Sequence, residues 1–576
     1  MNKIKLIPLA LAAFMLSACS SEDTENGGGN NNVDVSYLSV NIQNVGEVMS
    51  RAEYDDEKGG TYEDGTEAES KISDVRFYFF NADGSPYLLK KTLPTDPEKN
   101  WMTPKDKDKD KDKDINGTDK DNDHTVEQIS KTVLVINGEK KSAPHSVVAV
   151  INSKSLTTST LGDGALSLDA LREKQDTKFY NAGADFVMSN SIYKKENNEE
   201  YAVPVSGHVY TSKEAAENSP IDIYVERVAA KVTTTLNTAL ANWEEGTTAT
   251  WGEGKWAYKL SEKLNDKYDV YAVVDGWGVA DANGCATVEK AALSGDWTNT
   301  LLGINPWTTG DYHRCFWETS VAFNNGNKVV NQSFEAITAR FGNSVYTLPN
   351  TPGATTDFKD KMENSLTKVI VAAHLYYKDD AGVFKPAEIC KYKGIQYLGA
   401  KNVLKVVANE IKNTYCKKVG DDFVSITDED LTFATSVPTG GSANLKDYEV
   451  IPQIKSDAVI YDADPAHHLV TVAEANKALA VEANKAQVRT EGCVYYYTPI
   501  RHLAANEANL GYYGVVRNHS YKVTIQEVKG FGTPVFNPEK EIDPTLPEEK
   551  DIYLAARINV LSWRVVKSDV NLDSNK

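Results

Sequence analysis

The chain has 576 residues, more than one hydrophobic core organises, so several domains are expected. Its formal net charge of −20 excludes nucleic acid or an anionic membrane surface as a natural partner, since either would repel it. After Cys19 the cysteines are Cys285, Cys315, Cys390, Cys416 and Cys493, an odd set without a C-x-x-C pair. Buried thiols are therefore expected, not a disulfide framework or a zinc site.

The N-terminus sets the compartment. Lys3 and Lys5 precede an apolar run from Leu6 to Leu16, broken by Pro8. That run falls short of the roughly 20 apolar residues a membrane span needs, so it reads as a signal peptide. It closes on Leu16-Ser17-Ala18-Cys19, the form of a bacterial lipobox in which Cys19 is lipidated and becomes the first residue. An ordinary signal peptide with an incidental cysteine is the alternative. Residues 20–32 are polar and rich in Gly and Asn, which suits a tether.

The body carries the period of β structure. Leu38, Val40 and Ile42 alternate with Ser39 and Asn41. Val75, Phe77 and Phe79 alternate with Arg76 and Tyr78, and Val147 to Ile151 is a continuous apolar run. Ile221, Ile223 and Val225 alternate with Asp222 and Tyr224. Val369 to Tyr377 and Val494 to Tyr497 are further strands. Val515, Tyr521, Val523 and Ile525 flank a polar break at Arg517 to Ser520, read as the start of a strand or a bulge. Asp83-Gly84 and Asn137-Gly138 read as turns. Many short strands with polar turns predict sandwiches.

Two stretches predict helices inserted between strands. Val403, Leu404, Val407, Ala408 and Ile411 share one helical face, and Ala473 to Val488 has helical composition. Lys105 to Asp114 alternates lysine and aspartate and reads as a solvated loop. It runs into Asp112, Asp114 and Asn116, with Gly117 next and Asp123 beyond, a pattern resembling a calcium loop. Asp119 stands where an apolar anchor is usual and no helices flank the loop, so a charged loop is preferred and no metal is assigned.

Near the C-terminus, Asn537 to Lys550 is rich in Pro and Glu, the composition of a linker. Leu554, Ala556, Ile558 and Val560 then share one parity. The apolar parity moves to Leu561, Trp563 and Val565, as a bulge would allow. Taken alone, this run reads as a strand closing its own domain.

Catalytic signatures are absent: no nucleophile elbow, phosphate-binding loop, H-E-x-x-H or dinucleotide fingerprint occurs. His467-His468 reads as a surface loop. Trp277, Trp297, Trp307 and Trp317 could stack carbohydrate, but packing is the commoner role of scattered aromatics and is preferred. No enzyme activity and no cofactor are expected.

Four stretches carry a family resemblance: Tyr37-Leu38-Ser39-Val40 with Ser50-Arg51-Ala52; Val225 to Lys231; Leu348-Pro349-Asn350-Thr351; and Val515-Val516-Arg517-Asn518 through Tyr521 to Leu561-Ser562-Trp563-Arg564-Val565. In these the chain resembles the short (minor) fimbrillins, structural subunits of type V pili in anaerobic Gram-negative bacteria. The Lys-Asp tract and the alanine-rich stretch near residue 480 have no counterpart and read as insertions.

The resemblance implies an all-β subunit of two tandem transthyretin-like β-sandwich domains with a few inserted helices. The implied division is a signal peptide at 1–19, a tether and removable first strand at 20–51, domains at 52–231 and 232–550, and a donor strand at 551–576. It further implies an outer-membrane lipoprotein precursor cut between Arg51 and Ala52 by an arginine-specific surface protease. Loss of the first strand leaves a groove, which a strand from a neighbouring subunit fills. The partners implied are further copies of the chain and accessory pilus subunits, and the implied role is adhesion and biofilm formation from a cell-surface pilus.

The residues are compatible with that mechanism. Val33 to Val45 is a good strand ahead of Arg51, and its removal would bare a sheet edge that invites strand addition. A tip or anchor subunit of the same pilus is one alternative. A surface glycan-binding or glycan-degrading lipoprotein is another, and a hydrolase would need paired carboxylates in a cleft.

Overall fold

The computed structural model describes residues 36–45, 61–62, 65–103, 126–139, 142–180, 185–190, 193–195, 198–205, 207–290, 318, 320, 329–351, 366–502, 511–542, 544, 553–561 and 564–568. The protein is all-β, with few helices. The first sheet gathers β1 (Ser36–Val45), β3 (Val75–Phe80), β4 (Trp101–Met102), β5 (Val126–Ile136), β6 (Ser146–Ile151), β7 (Met188–Asn190) and β8 (Ile221–Arg227). Their order is β4-β3-β6-β7-β8-β1-β5, with a two-residue strand, Val203–Pro204, paired to β6.

This sheet curls until its two ends share one core. Phe77 and Phe79 near one end lie in the same apolar cluster as Leu134 and Ile136 at the other. Ile221, Ile223 and Val225 join them from β8. The alternation in Val75 to Phe80 predicts one buried face, but Tyr78 and Phe80 are equally buried. The second face is covered by Leu161 and Leu171 from two short helices, α2 (Thr158–Leu161) and α3 (Leu168–Arg172), and by Phe179 and Val288. A strand covered on both faces reads as a continuous apolar run, which is what β6 shows.

Asp83-Gly84 forms the expected turn, with Gly84 at φ 76°. Gly138 is not at a turn. It bridges to Leu89, and a Cβ there would meet the Tyr87 hydroxyl at 1.9 Å, so glycine admits a close approach.

The chain passes to a second unit between Arg227 and Ala230. One sheet holds β2 (Thr61–Tyr62), β9 (Ala230–Leu236), β12 (Ser344–Thr347), β15 (Ser520–Lys529), β16 (Tyr553–Leu561) and β17 (Arg564–Ser568), in the order β2-β17-β16-β15-β9-β12. The facing sheet is centred on β10 (Trp256–Leu264), β11 (Tyr268–Ala280), β13 (Lys368–Lys378) and β14 (Cys493–Pro499). Val232, Tyr521, Val523 and Ile525 from the first meet Val270, Ala272, Val371 and Tyr496 from the second in one sandwich core. Trp277 is wholly buried there, its Nε1 donating to the Arg340 carbonyl at 3.0 Å, so it forms no binding platform. Trp297, Trp307 and Trp317 lie outside the described residues.

Between β13 and β14, which pair directly, residues 389–488 build a core of their own. Here α4 (Ala400–Ile411) buries Val403, Val407, Ala408 and Ile411, the predicted face. The second predicted helix is shorter. The helix α5 (Val472–Leu479) stops at Ala480, and Ala486–Val488 is a strand paired to Cys390–Tyr392. Alanine-rich composition favours helix, but Val488 and Ala486 are needed in that core, and packing overrides propensity. His467 sits in a loop at φ 49°, stacked on Phe423. Cys390, Cys416 and Cys493 are buried and free, as expected, while Cys285 is only partly buried. Among the described residues no helix is long and apolar enough to cross a membrane, and no cluster of His, Cys, Asp and Glu could hold a metal ion. The calcium-loop residues Asp112, Asp114, Asn116 and Asp123 lie outside the described residues.

Candidate assembly site

The first strand occupies an interior place in its sheet. β1 runs parallel to β8, with Val40 opposite Ile221, Ile42 opposite Ile223 and Asn44 opposite Val225. On its other side it runs antiparallel to β5, with Leu38 opposite Leu134 and Val40 opposite Thr132. The β1–β8 pair is the one parallel pair among the described strands of this sheet. Without β1, β8 and β5 each lose a backbone partner at once. The slot between them is floored by Ile221, Ile223, Val225, Leu134 and Ile136, all buried.

The sequence shows β1 and β8 but not that they are neighbours, because pairing across about 180 residues leaves no local signal. The other wall, β5, goes unread although Val133 to Ile136 is a continuous apolar run. Cys19, Arg51 and Ala52 lie outside the described residues.

The C-terminal segment is two strands. Leu554, Ala556, Ile558, Val560 and Leu561 stand on β16, and Val565 stands on β17; Trp563 is outside the described residues. β16 and β17 pair antiparallel, with Ile558 opposite Ser568 and Val560 opposite Val566. The change of apolar parity at Leu561 therefore accompanies a chain reversal, not a bulge in one long strand. A register shift does occur, but on the partner, between Ile525 and Glu527 of β15.

In this chain β16 pairs with β15, Ile558 opposite Val523 and Val560 opposite Tyr521. β17 pairs with β2, so the segment following Arg51 meets the C-terminal hairpin. The linker expected over Asn537 to Lys550 is docked in its first part, where Ile542 is buried and its amide donates to the Gln332 carbonyl at 2.9 Å. β16 has 9 residues against the 10 of β1, with the same alternation of apolar and polar positions.

A buried polar junction fixes the slot to the second unit. Arg227, at the end of β8, is wholly buried. Its Nε donates to the Glu69 carbonyl at 2.8 Å, Nη1 to Asn518 Oδ1 at 3.1 Å and Nη2 to Ser70 Oγ at 3.1 Å. Glu69 and Ser70 lie on a one-turn helix, α1 (Glu67–Ser70), closed by a capping box with Thr66. Burial alone would raise the Glu69 carboxyl. Hydrogen bonds from Tyr346, the Thr66 amide and Lys231 outweigh it and hold the group below its ordinary value. Lys290 pairs with Glu226 at 2.9 Å, and Arg517 with Glu318 at 2.7 Å.

The polar break Arg517 to Ser520 is thus buried, with Asn518 at φ 55°. Its polarity reflects partners across the junction and not solvent, which sequence alone cannot distinguish.

Glu289 is the strained member. Burial pushes its carboxyl up to about 8 although Arg517 and Arg172 lie near, and Oε1 has no hydrogen-bond partner among the described residues. The native state therefore holds a proton that the unfolded chain, with its ordinary value of 4.5, releases. Its contribution to stability is fully present below the unfolded value and is lost as pH rises through about 8. Glu289→Gln should raise the melting temperature by a few degrees at about pH 8 and leave it unchanged below the unfolded value. A melting curve series over that range checks both ends.

Residues 488–569 match the model of the major fimbrial subunit protein type IV, fimbrillin, C-terminal family. No curated protein sequence matches the chain. Among solved structures, a fimbrilin (fimA) from Porphyromonas gingivalis W83 is 10% identical with a TM-score of 0.34, covering 92% of this chain and 99% of that one. The tip fimbrial protein Mfa3 of Porphyromonas gingivalis, truncated at its C-terminus, is 9% identical with a TM-score of 0.28, covering 92% and 100%. A proposed cell adhesion protein from Parabacteroides distasonis ATCC 8503 is 9% identical with a TM-score of 0.35, covering 93% and 98%. Likenesses this distant carry no function from those structures to this chain. The matched segment spans β14 to β17, including the strand beside β15 and its hairpin partner. The matched C-terminal region is thus similar to the C-terminal part of the fimbrillins, the family of a major fimbrial subunit.

Proposed function

We propose that this chain is a stalk subunit of a type V pilus, exported as a lipoprotein on Cys19, cut after Arg51, and polymerised by strand exchange. On cleavage β1 leaves the first sheet, and the C-terminal strand of a neighbouring copy takes its place. The observation that carries this reading is the interior position of β1, paired on both sides, in a segment ahead of the single arginine that precedes the folded body. A strand entering the slot finds backbone partners on β8 and β5 and an apolar floor, the requirements of strand addition. In the uncleaved chain the donor rests on β15 of its own subunit. Assembly then exchanges one set of strand contacts for another. Accessory subunits and an arginine-specific surface protease complete the system, which serves adhesion and biofilm formation.

The direct test is the N-terminal residue of the subunit in pili sheared from cells. Ala52 is expected, and a mature start ahead of β1 would overturn the reading. A second test concerns export. Cys19→Ala should abolish acyl attachment and reduce surface display, because the lipid holds the precursor at the membrane. Palmitate incorporation at the parental level would remove the lipoprotein step.

A further inference from the structure

A continuous backbone carries the slot wall into the second unit. β8 ends at Arg227 and β9 starts at Ala230, with Val228 and Ala229 buried between them. β9 then runs parallel to β15 over six residue pairs, from Lys231 opposite Ser520 to Leu236 opposite Ile525. At the start of the pair the Asn518 amide donates to the Ala229 carbonyl at 3.0 Å, and the Lys231 amide to the His519 carbonyl at 2.9 Å. At its end the Asn237 amide donates to the Ile525 carbonyl at 2.9 Å. Alternate residues of a strand turn their amides to the same neighbour, so Thr233 and Thr235 face β15 with Lys231 and Asn237. Side chains tie the same two strands. Thr235 Oγ1 lies 3.1 Å from Thr524 Oγ1, and Asn237 Nδ2 donates to Gln526 Oε1 at 2.6 Å.

We propose that the β9–β15 pair is a tension clamp, which keeps the body of the subunit folded when a chain of subunits is pulled. The proposal rests on the strand-exchange reading for the two points where force enters and leaves. A neighbour's strand in the slot pulls on the slot walls, and the backbone of β8 passes that pull to the N-terminal end of β9. The subunit's own C-terminal strand, seated in the next copy, pulls on the chain beyond Lys529, the C-terminal end of β15. The chain between docks through separate contacts: Val494 opposite Pro534, the Val535 amide on the Cys493 carbonyl at 3.1 Å, and the Ile542 amide on the Gln332 carbonyl at 2.9 Å. A pull from the C-terminus meets these one at a time, so they yield before β15 is reached.

Parallel strands pulled at opposite ends are sheared. All the bonds between them then carry the force together and must break in one event. A pair pulled from a shared end opens bond by bond instead. The same six pairs are therefore strong in the first geometry and weak in the second. Rupture under force follows the unfolding rate, so this resistance is separate from the melting temperature.

The test pulls single molecules of the full, uncleaved chain between two click-reactive residues, which leaves the cysteines untouched. Attachment at positions 218 and 549 pulls β9 and β15 at opposite ends. Attachment at 218 and 507 pulls both from their N-terminal ends. The first geometry should unfold the body at a force at least about twice that of the second. Thr235→Pro removes one amide from the pair and should lower the force in the first geometry by at least about a quarter. Leu260→Ala, in the core of the facing sheet, should lower the melting temperature yet change that force less than Thr235→Pro does. Should Thr235→Pro fail to fold, Asn237→Ala, in a partly exposed position, should lower the force in the same geometry. Equal forces in the two geometries, a force unaltered in the folded Thr235 or Asn237 variant, or a larger loss from Leu260→Ala would overturn the clamp. The measurement is made on the monomer, so a chain that resists shear but forms no fibres after cleavage would remove the strand-exchange reading alone.

Discussion

Arg51→Ala should give a folded, monomeric subunit and no fibres. The substitution leaves β1 joined to the chain, where it holds backbone partners on β8 and β5. An occupied slot offers nothing to a second strand. Cleavage as proposed would change this by making β1 a separate, dissociable peptide. Its departure exposes the floor of Ile221, Ile223, Val225, Leu134 and Ile136, each buried in the closed sheet. At ~1.5–3 kcal/mol per large apolar side chain, the empty slot costs several kcal/mol. That is a large part of the roughly 5–15 kcal/mol that keeps a domain folded. The cleaved, unfilled subunit should therefore melt well below the uncleaved one and recover on polymerisation. Electron microscopy and melting temperature, taken for Arg51→Ala beside the parent, check both statements. Normal fibres from Arg51→Ala would show that cleavage here is not the trigger.

The second large effect concerns the donor. A cleaved subunit lacking 551–576 should remain monomeric, and a peptide of residues 551–568 should bind it and raise its melting temperature. The uncleaved, equally truncated subunit separates two sites for that peptide. It retains β1, so any binding there reports the vacated place beside β15, while the gain seen only after cleavage reports the slot. Burying about six large apolar side chains gives on the order of 10 kcal/mol before ordering costs.

Ile558 and Val560 stand opposite buried Val523 and Tyr521 in the subunit's own sheet, and Asn559 stands opposite Lys522. Ile558→Asp or Val560→Asp should therefore abolish the gain, because an unpaired buried carboxylate is costly, whereas Asn559→Asp should be tolerated. Equal peptide binding before and after cleavage would leave the C-terminal strand as a closing strand of its own domain. Because β16 pairs with β15 here, truncation should also destabilise the monomer, and loss of stability alone does not decide the question.

Much of this was legible from local pattern. The period-two runs at 38–42, 75–79 and 221–225 are strands, since alternation is dictated by the pleat itself, and so are the apolar runs at 369–377 and 494–497. The face of α4 is the predicted one for the same reason at helical period. The misreadings share a cause. Ala473 to Val488 has helical composition but ends in a strand, and the parity change at Leu561 is a chain reversal, whereas the polar break at Arg517 to Ser520 does open a strand at Ser520. In both misreadings pairing outweighs the local preference: with Cys390–Tyr392, distant in sequence, in the first, and within a local hairpin, Val560 opposite Val566, in the second.

By itself the sequence determined the all-β class, the strands at 38–42, 75–79, 221–225, 369–377 and 494–497, and the strand pattern that stands ahead of Arg51. These follow from side-chain period, chain length and composition, which act within a few residues. Only the tertiary structure decided that β1 lies between β8 and β5, that the C-terminal hairpin rests on β15, and that β9 runs parallel to β15. Strand neighbours are chosen by burial of shared apolar faces and by backbone hydrogen bonds between segments that lie well beyond one another's local sequence, and no local pattern encodes which two segments will be opposite each other.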